Sequence, residues 1–203
     1  MQRALSLVLV LCGLFFANSA FTAEKNPVVI METSLGNIEI ELNPEKAPIT
    51  VKNFLGYVND KFYDGTVFHR VMSTFMIQGG GFTKDLSEKA TKGTIHNEAD
   101  NGLANEVGTI AMARLPEPHT AGAQFFINVE NNAMLNFKDK SVQGYGYCVF
   151  GKVTAGMDVV NKIKAVATGH SAGKAQTPQG LIDMPMDDVP KEPVLIKSVR
   201  VKE

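Results

Sequence analysis

Phe68-His69-Arg70-Val71-Met72-Ser73-Thr74-Phe75-Met76-Ile77-Gln78-Gly79-Gly80-Gly81 places one arginine, several large apolar side chains, an amide and a glycine run close together. The stretch spans about two strand lengths. Side chains alternate across a strand, so Arg70 is expected to share one face with Phe68 and Met72. Met76 and Gln78 are expected on one face of the strand that returns. No acid or thiol accompanies the arginine within the stretch. A cation beside an apolar slot suits a site that grips a neutral group.

Working outward, residues 28–33 and 37–42 read as paired strands around a Ser34-Leu35-Gly36 turn. Ile38, Ile40 and Leu42 alternate with Asn37, Glu39 and Glu41, which predicts one buried face. Pro48 stands at a favourable first helical position, and Val51, Phe54, Leu55 and Val58 follow at helical spacing, so a helix is predicted over 48–59. Asp64-Gly65 marks the turn into the opening stretch. Residues 82–107 show little periodicity and read as a long loop, a place where function often resides. Residues 109–112, 124–129, 147–153 and 194–201 read as strands. Met157, Val160, Ile163 and Lys164 predict a second short helix after Gly156. Residues 168–190, rich in Gly, Pro, Ser and Asp, read as loop. Strands do not alternate regularly with helices, which disfavours a doubly wound parallel sheet. The expected fold is mainly β, a closed antiparallel eight-stranded barrel capped by two helices.

The chain has 203 residues, 44% hydrophobic and 20% charged, enough for one well-packed domain. A net charge of −1 offers nothing to draw it to nucleic acid or anionic membrane. The first 23 residues differ from the rest. Arg3 precedes an apolar run from Leu5 to Phe16, and small residues follow at Ala17, Ser19, Ala20 and Ala23. This pattern reads as a secretory signal peptide, residues 1–23, cleaved after about 19–23, ahead of a single domain over 24–203. The run falls short of the roughly 20 apolar residues a spanning helix needs. Only Cys148 then remains, between apolar neighbours, and it reads as a buried core residue rather than a catalytic thiol.

Several chemistries find no support. His69, His96, His119 and His170 are scattered without zinc-ligand spacing. The segment 169–175 lacks a phosphate loop's spacing and its Ser or Thr after Lys174. Gly79-Gly80-Gly81 follows a strand but lacks the dinucleotide fingerprint. No Gly-x-Ser-x-Gly elbow occurs. Glu98, within Asn97-Glu98-Ala99-Asp100, reads as structural.

Two further constellations follow the opening stretch. One is Gly108-Thr109-Ile110-Ala111-Met112-Ala113 with Gln124-Phe125-Phe126-Ile127-Asn128. The other runs from Leu135 to Tyr147-Cys148-Val149-Phe150-Gly151-Lys152-Val153. In this order and at these separations, the three resemble the signature regions of the cyclophilins, the peptidyl-prolyl cis-trans isomerases. The resemblance covers about residues 28–201 and is nearest to bacterial exported members. It implies that Arg70 falls on the catalytic arginine and Gln78 on the glutamine that orients it and contacts substrate. Phe75, Met76, Phe126 and Leu135 fall on the wall of the proline pocket. Gln124 falls on a second substrate-side amide. Ala113 and Arg114 fall on the pair whose backbone grips the peptide, and Tyr147 falls where many eukaryotic members carry histidine. Two positions depart from the common pattern: Arg114 replaces a frequent Asn, and Met134 a frequent Trp. The first sets a cation at the groove; the second implies weakened cyclosporin binding.

The resemblance implies isomerisation of X-Pro bonds in unfolded or partly folded proline-containing polypeptides, to assist the folding of exported proteins. It implies no cofactor, no metal, and no nucleic-acid or membrane partner once the signal is removed. A monomer in the periplasm is expected. A rival from another class is a proline-peptide binding or chaperone module with little turnover. A hydrolase using His69 or His96 with a serine is a remote third.

Overall fold

The computed structural model describes residues 25–177 and 180–203; the segment 1–23, read from sequence as a signal peptide, lies outside the described residues. The described residues form ten strands and two α-helices: β1 (Val28–Thr33), β2 (Gly36–Leu42), α1 (Pro48–Asn59), β3 (Thr66–Met72), β4 (Met76–Thr83), β5 (Thr109–Met112), β6 (Phe125–Asn128), β7 (Val149–Ala155), α2 (Met157–Lys164), β8 (Thr168–Thr177), β9 (Gly180–Pro190) and β10 (Val194–Val201). Eight strands close a barrel in the order β1-β10-β3-β4-β6-β5-β7-β2, and β8 and β9 form a separate two-stranded sheet. All barrel pairs are antiparallel. The mainly β, eight-stranded closed barrel with two helices is the predicted fold.

Period-2 alternation builds the interior. Met31, Ile38, Ile40, Leu42, Ile77, Ile110, Phe125, Ile127, Phe150, Ile196 and Val199 are buried together in one cluster. Each helix lays an apolar face on that cluster: α1 through Val51, Phe54 and Val58, α2 through Val160 and Ile163. Phe54 reaches Tyr63, Phe125 and Phe150 with ring centroids 5.2–5.9 Å apart. Glu98 proves structural. Its carboxylate accepts from the backbone N–H of Ile49 (3.1 Å) and Thr50 (2.8 Å) and from Thr50 Oγ1 (2.7 Å), satisfying the first turn of α1 from 48 residues away. Cys148 is buried, and burial pushes its thiol up to about 11.

The structure corrects two expectations. Residues 168–190 are not loop but the long hairpin β8–β9, paired from Thr168↔Pro190 to Thr177↔Gly180. Met186 and Val189 of the hairpin pack on Val67 and Phe82, on the outer side of the barrel wall. Backbone pairing plus these few apolar contacts overrides the poor strand propensity of the segment. The second correction concerns the opening stretch. Phe68 pairs with Gly79 and Arg70 with Gln78, so β3 holds an extra residue at His69. This β-bulge breaks the alternation. Phe68 joins the interior cluster, while Met72 joins an outer one with Met76. Arg70 therefore keeps company with Met72 but not with Phe68.

His69, displaced by the bulge, is buried against Phe82 with ring centroids 4.6 Å apart. Its Nδ1 has no hydrogen-bond partner. Burial, reinforced by the neighbouring Arg70 charge, lowers its pKa to about 4.

Candidate active site

The barrel's register sets one row of residues across the outer wall. Arg70 pairs with Gln78, Gln78 with Phe126, Phe126 with Ala111, and Ala111 with Val149. Around this row lies a second apolar cluster, separate from the interior, formed by Met76, Ala111, Phe126 and Val149. Met72, Phe75, Ala113, Leu135 and Tyr147 pack against it from the edges.

A cleft of about 110 Å³ opens here, bounded by Phe75, Met76, Phe126 and Leu135 on its apolar side. Arg70, Gln78, Ala113, Arg114 and Tyr147 complete its lining. Of the ten residues singled out from sequence, nine thus line one cleft. The tenth, Gln124, stands behind, its Oε1 accepting from Gln78 Nε2 at 2.9 Å. The glycine run makes room for this pair. A Cβ on Gly81 would sit 2.4 Å from Gln124 Cγ, so only glycine lets the Gln124 chain cross that strand. Gly80 adopts φ +83°, and a Cβ there would strike Phe125 at 2.7 Å.

A larger cavity of about 520 Å³ lies under the base of the β8–β9 hairpin, among Val67, Leu86, His170, Val189 and Pro190. It contains none of the ten site residues. The smaller cleft is the chemical candidate because apolar walls, amides and a guanidinium converge on it.

Two arginines line the cleft, and their donors are used differently. Arg114 is tied down: Nε donates to Gly146 O at 2.9 Å, and one terminal nitrogen to Leu115 O (3.0 Å) and Pro116 O (2.7 Å). Its guanidinium carbon lies 4.5 Å from the centroid of Tyr147, whose ring meets Phe126 edge-on at 5.8 Å. The cation expected to border the groove is thus neutralised in effect by carbonyls and an aromatic face. The main-chain N–H and C=O of Arg114 make no hydrogen bond to another described residue, which leaves them open to an extended peptide.

Arg70 is the opposite case. Its side chain is 42% exposed, and its guanidinium makes no hydrogen bond to another described residue. The amide opposite it, Gln78, donates through Nε2 to Gln124 and makes no hydrogen bond with the guanidinium. The charged group beside it is Asp188, with Nε 3.9 Å from Oδ2.

Three buried asparagines escaped the sequence reading. Asn132 Nδ2 donates to Phe75 O (2.8 Å) and Asn128 Oδ1 (2.7 Å). Asn128 Nδ2 donates to Asn105 Oδ1 (3.1 Å), and Asn105 Nδ2 to Leu135 O (3.2 Å) and Tyr147 O (3.3 Å). The chain of amides thereby fixes the three cleft walls that come from irregular segments. Asparagine inside an otherwise apolar strand, as at Asn128, is the signal that marked it. Asp188 escaped because its segment was read as loop.

The barrel thus carries on its outer wall an apolar slot edged by amides and a guanidinium. The family model for "Cyclophilin type peptidyl-prolyl cis-trans isomerase/CLD" matches residues 28–201, and the chain belongs to this family. It is 55% identical over 176 residues to peptidyl-prolyl cis-trans isomerase B of Escherichia coli, covering 87% of this chain and all of that one. It is 54% identical to peptidyl-prolyl cis-trans isomerase cyp18 of Streptomyces antibioticus, over 85% of this chain and 97% of that one. With peptidyl-prolyl cis-trans isomerase A of Dickeya dadantii it shares 45% identity over 98% of this chain and 97% of that one. Among solved structures, a cyclophilin-type isomerase of Cryptosporidium parvum, crystallised in the presence of the dipeptide ala-pro, matches with a TM-score of 0.68. At 24% identity, over 87% of this chain and 99% of that one, the likeness concerns the fold. The protein is a peptidyl-prolyl cis-trans isomerase.

Proposed function

We propose that Arg70 is the catalytic donor of this isomerase, acting on proline-containing polypeptides held in the outer slot. The carrying observation is the contrast between the two arginines: Arg114 Nε and one terminal nitrogen donate to backbone carbonyls, whereas the Arg70 guanidinium makes no hydrogen bond to another described residue and has only Asp188 at 3.9 Å beside it at the slot's edge.

Rotation about an X-Pro bond must overcome roughly 18–20 kcal/mol of amide resonance, and unaided it takes about 10–100 s. Catalysis in milliseconds lowers the barrier by about 6–7 kcal/mol. No bond breaks, so the site needs only to favour the twisted amide over both planar forms. Phe75, Met76, Phe126 and Leu135 hold the proline ring. The Arg114 backbone takes the flanking peptide in a strand-like contact, with Ala113 beside it, and Gln78 with Gln124 guides the chain. Tyr147, braced by Arg114, closes the wall beside Phe126. In the twisted state the proline nitrogen regains its lone pair, and Arg70 donates to it or to the adjacent carbonyl oxygen. Arginine suits this because it stays charged and presents several donors in a fixed fork.

The natural substrates on this reading are unfolded or partly folded chains of exported proteins. Residues 1–23 act as a signal peptide, removed after about 19–23, and residues 24–203 work in the periplasm as one isomerase domain. The slot is lined within one chain, so the reading needs no second copy. Sequencing the N-terminus of protein recovered from the periplasmic fraction tests export; an intact residue 1 on cytoplasmic protein would overturn it. Comparing proline-limited refolding by wild type and Arg70→Ala tests the catalytic role. The variant is expected to fold and to lose most of the rate enhancement, whereas refolding at the wild-type rate removes Arg70 from the mechanism. A binding module would leave exchange of an X-Pro peptide unchanged by the wild type itself.

A further inference from the structure

We propose that Asp188 is the positioning residue of Arg70, delivered to the active site by the β8–β9 hairpin; the proposal rests on the reading of Arg70 as the catalytic donor. Arginine has a long side chain with many rotamers, and an unheld guanidinium spends little time in any one pose. Gln78, which faces Arg70 across the ladder, could hold the guanidinium only by accepting through Oε1, and no hydrogen bond joins the two side chains; Gln78 Nε2 donates to Gln124. Asp188 Oδ2 stands 3.9 Å from Arg70 Nε, on the stem side of the guanidinium. An attraction there steers the fork while leaving both terminal nitrogens for the substrate.

The backbone shows that Asp188 is aimed. The hairpin register slips between Gly169↔Val189 and Ser171↔Met186, so Asp187 and Asp188 together stand opposite His170. Such a bulge re-aims side chains. Asp187 turns to His170, with Oδ1 and Nδ1 2.5 Å apart. Asp188 takes φ 57°, a left-handed conformation that non-glycine residues adopt at a cost. Met186 and Val189, on either side of the acidic pair, anchor the hairpin on Val67 and Phe82, so the bulge is held against the barrel. The other titratable group beside Arg70, His69, is buried and uncharged at neutral pH. Both members of the pair are partly exposed, 42% and 38%, so the contact adds little to stability; its role is orientation.

Asp188→Asn and Asp188→Gly separate this role from a merely structural one. Asn and Gly both accept the left-handed backbone, and Gly relieves its cost. If the residue served only the bulge, both variants would be as active as wild type, and the glycine variant at least as stable. The proposal expects melting temperatures no lower than wild type and a kcat on an X-Pro peptide lowered roughly two- to fivefold with KM preserved, the rate equivalent of a partly exposed ion pair. The Arg70 Nε–H resonance, ordered in wild type, is expected to broaden and shift in both variants. In an Arg70→Lys background, Asp188→Asn is expected to cost nothing further. Wild-type kcat in both Asp188 variants, or an equal fractional loss in the wild-type and Arg70→Lys backgrounds, overturns the proposal. A wild-type rate in Arg70→Ala instead overturns the catalytic reading beneath it, so the two failures are told apart.

Discussion

The barrel interior and the slot on its outer wall are built from the same strands, one residue out of phase. On β4 and β6, Ile77, Phe125 and Ile127 point inward, and Met76 and Phe126 point outward, yet all five are at most 3% exposed. Burial alone therefore does not distinguish core from site. What differs is how the neighbours are used. Inside, Phe54, Tyr63, Phe125 and Phe150 meet ring against ring and leave no room. Outside, Met76 and Phe126 face Phe75, Leu135 and Tyr147 from irregular segments pinned by Asn105, Asn128 and Asn132, and a cleft stays open between them. A packed core tolerates no void, whereas a binding slot is a void held open by hydrogen bonds.

Paired truncations test this contrast most severely. Phe125→Ala is expected to destabilise the fold by about 3–5 kcal/mol. Phe126→Ala should cost less stability but raise KM for an X-Pro peptide about tenfold or more, through lost apolar contact with the ring. Chemical denaturation and peptide-exchange kinetics on both variants measure the two effects. Equal stability losses with KM unmoved would erase the distinction.

Arg70→Ala comes next, with about a 10²- to 10³-fold loss in kcat expected for removing one aimed donor. Its stability should hold, since the side chain is 42% exposed and makes no hydrogen bond to another described residue.

The bulge that separates Phe68 from Arg70 carries its own signature in pH. His69 titrates near 6.5 when unfolded and near 4 when folded. Above about pH 6.5 both states are neutral and the residue has no pH effect. As pH falls from 6.5 through 4, the unfolded state binds the proton first, and roughly 3 kcal/mol of stability is lost. His69→Phe should remove that loss, leaving only the carboxylate contribution. Unfolding free energies of both proteins between pH 7 and pH 4 check it, and parallel curves would refute the buried neutral histidine.

The smallest effect belongs to Arg114. Arg114→Ala removes its cation–π contact with Tyr147 and its three carbonyl hydrogen bonds. With the backbone of residue 114 still in place, KM should rise only about two- to fivefold. A loss of kcat as large as that of Arg70→Ala would mean the two arginines are not as different as their partners indicate.

The legible parts of the chain share a cause. Half-buried strands impose period 2, so residues 28–33, 37–42, 109–112 and 194–201 announce themselves. The helix at Pro48–Asn59 does so by its apolar spacing and its proline. The slot residues were legible through their order and separation along the chain, which reproduces a known family pattern. The hairpin at 168–190 was not. Few of its side chains are buried, and most of what holds it is backbone pairing, which leaves little trace in residue type. The bulge at His69 was equally silent, because alternation assumes an unbroken register. Asn105 and Asn132 look in sequence like any surface asparagine, and only Asn128 stands out, by its place in an apolar strand.

The sequence by itself determined a strand-rich barrel, its two helices, and a cation with an amide beside apolar residues, since periodicity and residue chemistry are local properties. Which arginine donates to backbone carbonyls and which faces the slot with only Asp188 beside it was settled by the tertiary structure. It alone brought Asp188 to Arg70 from more than a hundred residues away. Hydrogen-bond partners and charge neighbours depend on register, bulges and loop closure, and those are settled when the strands pair.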